Sequence, residues 1–141
     1  MRISTRGRYG LRAVVDIATK MRDGAAVVSN RSIAGSQGIS ENYLEQIMAQ
    51  LKESGIVASI RGAGGGFRLK KPPEEISAGE ILRAVEGSLS PAECLDSPRS
   101  YGTCAPCEEC SARGVLSLVY ESVTEVVDSI TVLDIMNNKH I

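Results

Sequence analysis

Between residues 29 and 69 the chain alternates helix caps and glycine stops so closely that few folds can accommodate it. Ser29 can cap a short helix holding Ile33 and Ala34, and Gly38 ends it. Ser40 then caps a second helix, about Glu41 to Ser54, with Gly55 as its stop. Leu44, Ile47, Met48 and Leu51 follow i, i+3, i+4, i+7 and face a core, while Tyr43, Gln46 and Gln50 lie on another side. Two such helices joined by Gly38-Ile39-Ser40 make a helix-turn-helix. Ile56 to Arg61 and Phe67 to Leu69 then read as short strands around Gly62-Ala63-Gly64-Gly65-Gly66, a hairpin placed as a wing.

The flanking segments complete a mainly α fold. Ser4 or Thr5 caps a helix running to about Arg22, apolar at Tyr9, Leu11, Val14, Val15, Ile17, Ala18 and Met21, and so central in the fold. Pro72-Pro73 breaks the chain, and Ser77-x-x-Glu80 is a capping box opening a helix to about Glu86. Residues 87–109 carry Ser, Pro, Gly and Cys without periodicity, a loop long enough to need a function or an organising ligand. A long helix follows, about Ala112 to Ser129. It has one broad apolar side (Val115, Leu116, Val119, Tyr120, Val123, Val126, Val127) and an acidic side (Glu121, Glu125, Asp128). Thr131-x-x-Asp134 opens a short last helix. The organisation expected is a winged helix-turn-helix over 1–86, a cysteine-rich loop over 87–111 and a C-terminal helical unit over 112–141.

Charge divides the same way. Residues 1–72 hold 12 Lys/Arg against 5 Asp/Glu, and residues 73–141 hold 4 against 12, which together give the formal net charge of −1. A basic first half facing a polyanion follows. A recognition helix must present hydrogen-bonding side chains to base edges in a groove ~12 Å wide. Ser40, Asn42, Tyr43, Gln46 and Gln50 supply them. Arg61 and Arg68 flank the glycine turn and project toward the minor groove or phosphates, and Arg2, Arg6 and Arg8 sit at the start of the first helix. The glycine run is no nucleotide loop: Phe67 occupies the third glycine position of that fingerprint and no Gly-Lys-Ser/Thr follows.

Cys94, Cys104, Cys107 and Cys110, spaced C-x9-C-x2-C-x2-C, are all the cysteines of the chain and fall within 17 residues. The N-terminus lacks an apolar signal-type stretch and no segment approaches ~18 continuous apolar residues, so a cytoplasmic, reducing location without membrane partners is expected. Clustered thiolates there suit zinc or an iron–sulphur cluster, and the tight run of three is closer in character to iron–sulphur ligation. Buried, inert cysteines and metal-free redox thiols are the further alternatives. His140, the lone histidine, reads as a tail residue. No Ser-His-Asp set, paired-carboxylate cleft motif or HExxH supports an enzyme.

With these residues in place the chain resembles the winged-helix regulators of the IscR, NsrR and CymR type, the Rrf-two family. The marks are MRISTRGRYGLRAVVDIA, QGISENYLEQI, the wing IRGAGGGFRL, the ILRAVEG helix and the terminal DSITVLDI. The resemblance covers nearly the whole length and is nearest to the iron–sulphur type. It implies a homodimer whose long C-terminal helices cross, with each wing and recognition helix on one half-site of a palindromic operator in double-stranded DNA. The wing glycines Gly64, Gly65 and Gly66 come with it as DNA-facing positions. It also implies that Glu45 lies close to DNA and rejects some sequences. Iron–sulphur members use three cysteines and a histidine. Cys110 and Cys104 match the last two cysteines without gaps, and Cys94 matches the first across an insertion. The histidine position falls on Arg113, which cannot ligate iron, and Cys107 is an extra thiol able to serve as fourth ligand. All-cysteine ligation suits 2Fe–2S, the preferred expectation, or 4Fe–4S. Where another branch uses an acidic residue near the N-terminus, this chain has Arg6, Arg8 and Tyr9.

Overall fold

The computed structural model describes residues 2–96 and 110–138. Among these described residues six α-helices and one hairpin follow in order: α1 (Thr5–Arg22), α2 (Asn30–Gln37), α3 (Glu41–Glu53), β1 (Val57–Ile60), β2 (Gly66–Leu69), α4 (Ala78–Glu86), α5 (Ser111–Ser129) and α6 (Val132–Met136). The fold is mainly α with a small wing. Each cap acts where the sequence put it. The hydroxyls of Ser4, Ser29, Ser40, Ser77 and Thr131 accept from backbone N–H groups three residues on, and Gly38 closes α2 in the left-handed region at φ 67°.

Helix α1 lies at the centre and touches α2, α3, α4, α6 and β2. Ala13, Val14 and Ile17 are fully buried with Leu44, Ile47, Met48, Leu51, Ile76, Ile81 and Val132. Gly10 lets α4 come close, since a Cβ there would press on both methyls of Val85 at 3.2 Å. The wing is anchored to the body: Val28 and Phe67 exchange two backbone hydrogen bonds of 2.8 Å. Pro72-Pro73 does more than break the chain, because Pro73–Glu75 form a single 3-10 turn leading to α4.

A second backbone bridge joins Ser77 to Thr131, with Ala78 N–H donating to the Ile130 carbonyl at 2.8 Å and Val132 N–H to the Ile76 carbonyl at 2.9 Å. Val132 thereby enters the core at 0% exposure. The start of α4 beside this bridge carries Glu80. Burial pushes its carboxyl up, but hydrogen bonds from Lys71 and the Ser77 N–H, with the charges of Lys71 and Arg83, outweigh that and leave it below the usual glutamate range.

Helix α5 differs from the expectation of a single broad apolar side. Its apolar residues form two strips. Leu116, Tyr120, Val123 and Val127 are half-buried along one side; Val123 and Val127 line a cleft with Leu82 of α4, and Arg83 pairs with Asp128 across the contact of the two helices. Val115, Leu118, Val119 and Val126 form the other strip and stand 38–66% exposed. Sequence periodicity alone merges strips that lie side by side on one helix. Of the long loop, the described part contains a 3-10 turn, Glu93–Leu95. No helix among the described residues is long and apolar enough to cross a membrane.

Candidate nucleic-acid interface and thiol site

The outward face of α3 is set by what its opposite face must bury. With Leu44, Ile47, Met48 and Leu51 inside, Asn42, Glu45 and Gln46 are exposed together, joined by Ala49 and Lys52. Ala49 was not singled out from the sequence, although its spacing of seven from Asn42 repeats the same face, and a methyl there can meet a thymine methyl. Ser40 is exposed, but its hydroxyl accepts from Tyr43 N–H at 3.1 Å as the helix cap. Tyr43 and Gln50 sit at the edge of the face rather than on it. Tyr43 is half-buried against Tyr9, ring centroids 6.1 Å apart at 88°, and Arg12 lies 5.4 Å over the Tyr9 ring. Gln50 is half-buried, and its Oε1 is enclosed with no hydrogen-bond partner among the described residues.

Arg61 and Arg68 are exposed on either side of the wing tip. The three wing glycines have different surroundings. A Cβ at Gly65 would meet the Ile60 carbonyl, and one at Gly66 (φ 152°) would meet the Val28 carbonyl; space around Gly64 is open. Gly65 and Gly66 are therefore required by the hairpin and its anchor, and Gly64 alone of the three is free to approach another molecule. Arg2 and Arg8 are exposed at the start of α1, Arg6 is half-buried, and Arg8 donates to the Thr5 hydroxyl at 3.3 Å. Lys20, one of the basic residues of the first half, is used internally. Its ammonium donates to Asp16 at 2.8 Å, Ser36 at 2.6 Å and the Ser32 hydroxyl at 3.0 Å, fastening α1 to α2.

Of the four cysteines, Cys94 and Cys110 are described, both half-buried and outside any disulfide. Cys104 and Cys107 lie outside the described residues, as does His140. Cys94 sits in the 3-10 turn after α4, inside a loop closed by a hydrogen bond from the Ser88 hydroxyl to Asp96. Cys110 is the N-cap of α5, at a helix end that favours anions, and its side chain makes no cap hydrogen bond. Among the described residues no group of three or more potential metal ligands is gathered, and Cys94 and Cys110 are the two described thiols.

The profile of the Rrf2 family, described as "Iron-dependent Transcriptional regulator", matches residues 3–138. The chain belongs to the Rrf2 family. Among curated relatives of this Rrf2 chain, the HTH-type transcriptional regulator CymR of Bacillus subtilis is 41% identical over 135 residues, covering 96% of this chain and 89% of that one. The HTH-type transcriptional regulator IscR of Pectobacterium atrosepticum is 32% identical over 141 residues, covering 100% and 82%. Among solved structures, CymR, described as the global cysteine regulator of B. subtilis, superposes with a TM-score of 0.77 at 38% identity and 98% coverage of both chains. T. potens IscR superposes at 0.76 with 37% identity, covering 99% of this chain and 89% of that one. The Rrf2 chain is thus a DNA-binding transcription regulator with a winged-helix fold.

Proposed function

We propose that this Rrf2 regulator acts in the cytoplasm as a homodimer on a palindromic operator, and that Cys94, Cys104, Cys107 and Cys110 hold an iron–sulphur cluster that sets its affinity. Residues 1–86 read DNA, 87–111 carry the cluster ligands, and 112–141 join the subunits. Asn42, Glu45 and Gln46 face base edges, with Ser40, Tyr43 and Gln50 at the margin of that contact. Arg61, Gly64 and Arg68 bring the wing to the backbone, Gly65 and Gly66 shape the turn that carries them, and Arg2, Arg6 and Arg8 add phosphate contacts. The open strip Val115–Leu118–Val119–Val126 is the surface on which two copies meet, because four large aliphatic side chains on one face of a helix remain wet in a single copy.

The observation that carries the cluster reading is the placement of Cys110 as a cap residue whose thiol does no capping. Serine, threonine or aspartate would stabilise α5 more at that position. A thiol at this position leaves the cap unmade and supplies a sulphur ligand instead. Cys94 in the loop after α4 and Cys110 at the start of α5 would both hold the cluster, which would tie these two segments together, and oxidation, nitrosylation or iron withdrawal would release them. The donor set suits 2Fe–2S, with 4Fe–4S and zinc possible on the same thiols.

Anaerobic absorption spectra with iron and sulphide analysis, on wild type beside Cys107→Ala and Arg113→His, test this. Brown protein with stoichiometric iron and sulphide, lost in Cys107→Ala and regained when Arg113→His is added to that variant, supports four-thiol ligation with Cys107 as the substitute ligand. Colourless protein with one zinc per chain, or metal-free protein with reactive thiols, overturns it in favour of a zinc-stabilised or thiol-based regulator.

A further inference from the structure

We infer that Glu86 is a positioning residue through which the Cys94 loop acts on the DNA-facing start of α1, an inference that rests on the DNA-binding reading above. Glu86 is the last residue of α4, and its Oε1 accepts two hydrogen bonds from one residue of α1's cap: Ser4 N–H at 2.8 Å and the Ser4 hydroxyl at 2.7 Å. The Ser4 oxygen in turn accepts from Gly7 N–H at 3.3 Å. The cap of α1 is thus itself held by a carboxylate that lies 82 residues away in sequence. Gly7 makes room for it, since a Cβ there would collide with the Glu86 carboxylate. The exposed Arg2 and Arg8 stand on either side of this short segment.

On its other side Glu86 leads directly into the thiol loop. Gly87 turns the chain at φ 83°, the Ser88 hydroxyl bonds to Asp96 around Cys94, and the Ser90 hydroxyl donates to the Ala92 carbonyl at 2.7 Å. Beside it lies a partly open cleft of about 400 Å³ lined by Ile3, Leu82, Leu89, Val123 and Val127 together with Arg2 and Glu86. Leu89 belongs to the loop, Ile3 to the start of the chain and the valines to α5. Close-packed interiors transmit small shifts but resist large ones, whereas a partly open cleft beside Leu89 leaves that side chain space to move. A rearrangement of the loop is therefore passed to Gly87 and Glu86, and from that carboxylate to Ser4, without first breaking the core.

The test uses the full-length, reduced, metal-free protein and compares wild type with Asp96→Ala, Glu86→Ala, both together, and Glu86→Gln. The readout is amide hydrogen exchange at Ser4 and Gly7, with affinity for a random-sequence duplex measured alongside. Asp96→Ala, which opens the loop, is expected to speed exchange at both amides by about fivefold or more and to weaken duplex binding. In the Glu86→Ala background the same change adds nothing, and Glu86→Gln, which keeps an acceptor oxygen, retains most of the protection. Unchanged exchange in Asp96→Ala, or its full effect on top of Glu86→Ala, overturns the inference. If exchange also rises at Leu44 and Ile47, the core has loosened, and Ser88→Ala breaks the same contact from the other side and is read by the same criteria. No metal enters this experiment, so a colourless protein in the preceding test leaves its outcome standing.

Discussion

The rings of Tyr9 and Tyr43 stand at 88° with 6.1 Å between centroids, so α3 is braced against the central helix α1 through a pair of aromatic side chains. Tyr43 thereby holds its hydroxyl at the margin of the exposed face instead of swinging freely. Tyr9→Ala is expected to cost about 1 kcal/mol beyond the lost apolar burial. Tyr43→Phe keeps the ring contact and is expected to melt like wild type while binding operator about fivefold more weakly, the loss of one hydrogen bond. Urea unfolding and DNA titration of both variants check this. Equal destabilisation by the two would mean that the Tyr43 hydroxyl serves the fold.

The glycines of the wing separate fold from contact. Gly66→Ala forces a side chain into the left-handed region and onto the Val28 carbonyl, and about 2 kcal/mol or more of stability should be lost. Loss of exchange protection at Val28 and Phe67, the anchoring pair, should accompany it. Gly64→Ala meets no neighbour. Its melting should match wild type, and its effect should appear in DNA affinity. A Gly66→Ala protein with intact Val28 and Phe67 protection would contradict this assignment.

Glu80 makes stability depend on acid in a defined direction. Its carboxyl titrates below the usual glutamate range in the folded chain despite the opposing effect of burial, because Lys71, the Ser77 N–H and Arg83 favour the charged form. The stabilisation is fully present above the unfolded value of about 4.3. It is lost as pH falls through the lower folded value. The melting difference between wild type and Glu80→Gln should therefore be constant near neutrality, shrink below pH ~4.3 and vanish in stronger acid. A difference that persists undiminished in strong acid would show that the charge of Glu80 is irrelevant.

The open strip of α5 should fail when charged. Val115→Glu with Leu118→Glu places two carboxylates on side chains that are 66% and 64% exposed in one copy, so the fold of that copy should survive. If two copies bury this strip, roughly 3 kcal/mol of apolar burial is lost and association weakens ~100-fold. Sedimentation velocity across a concentration series measures it. Wild-type sedimentation by the double variant would place the subunit contact elsewhere.

Much of this molecule was legible because its sequence uses strong local signals. Ser40 and Gly38, Ser77 with Glu80, and Thr131 with Asp134 fix helix ends by chemistry that needs only neighbouring residues. The pairs that organise the site are distant in sequence and leave no local trace: Glu86 on Ser4, Val28 on Phe67, Asp128 against Arg83. Periodicity likewise showed that α5 is apolar but not that Val123 and Val127 face α4 while Val115 and Val126 face outward. The polar positions on α3 were visible as residue types. Whether Tyr43 reads bases or leans on Tyr9 depended on a ring from another helix.

The most direct measurement of the link between the thiols and DNA reading is anaerobic titration of a palindromic duplex, selected from a random pool, with iron- and sulphide-loaded protein and with the same protein stripped of metal. At fixed salt the two forms should differ in affinity by about fivefold or more, a coupling of 1 kcal/mol or greater. The difference should disappear in Cys94→Ala. Equal affinities for both forms at every salt concentration would show that the cysteine set does not govern DNA binding.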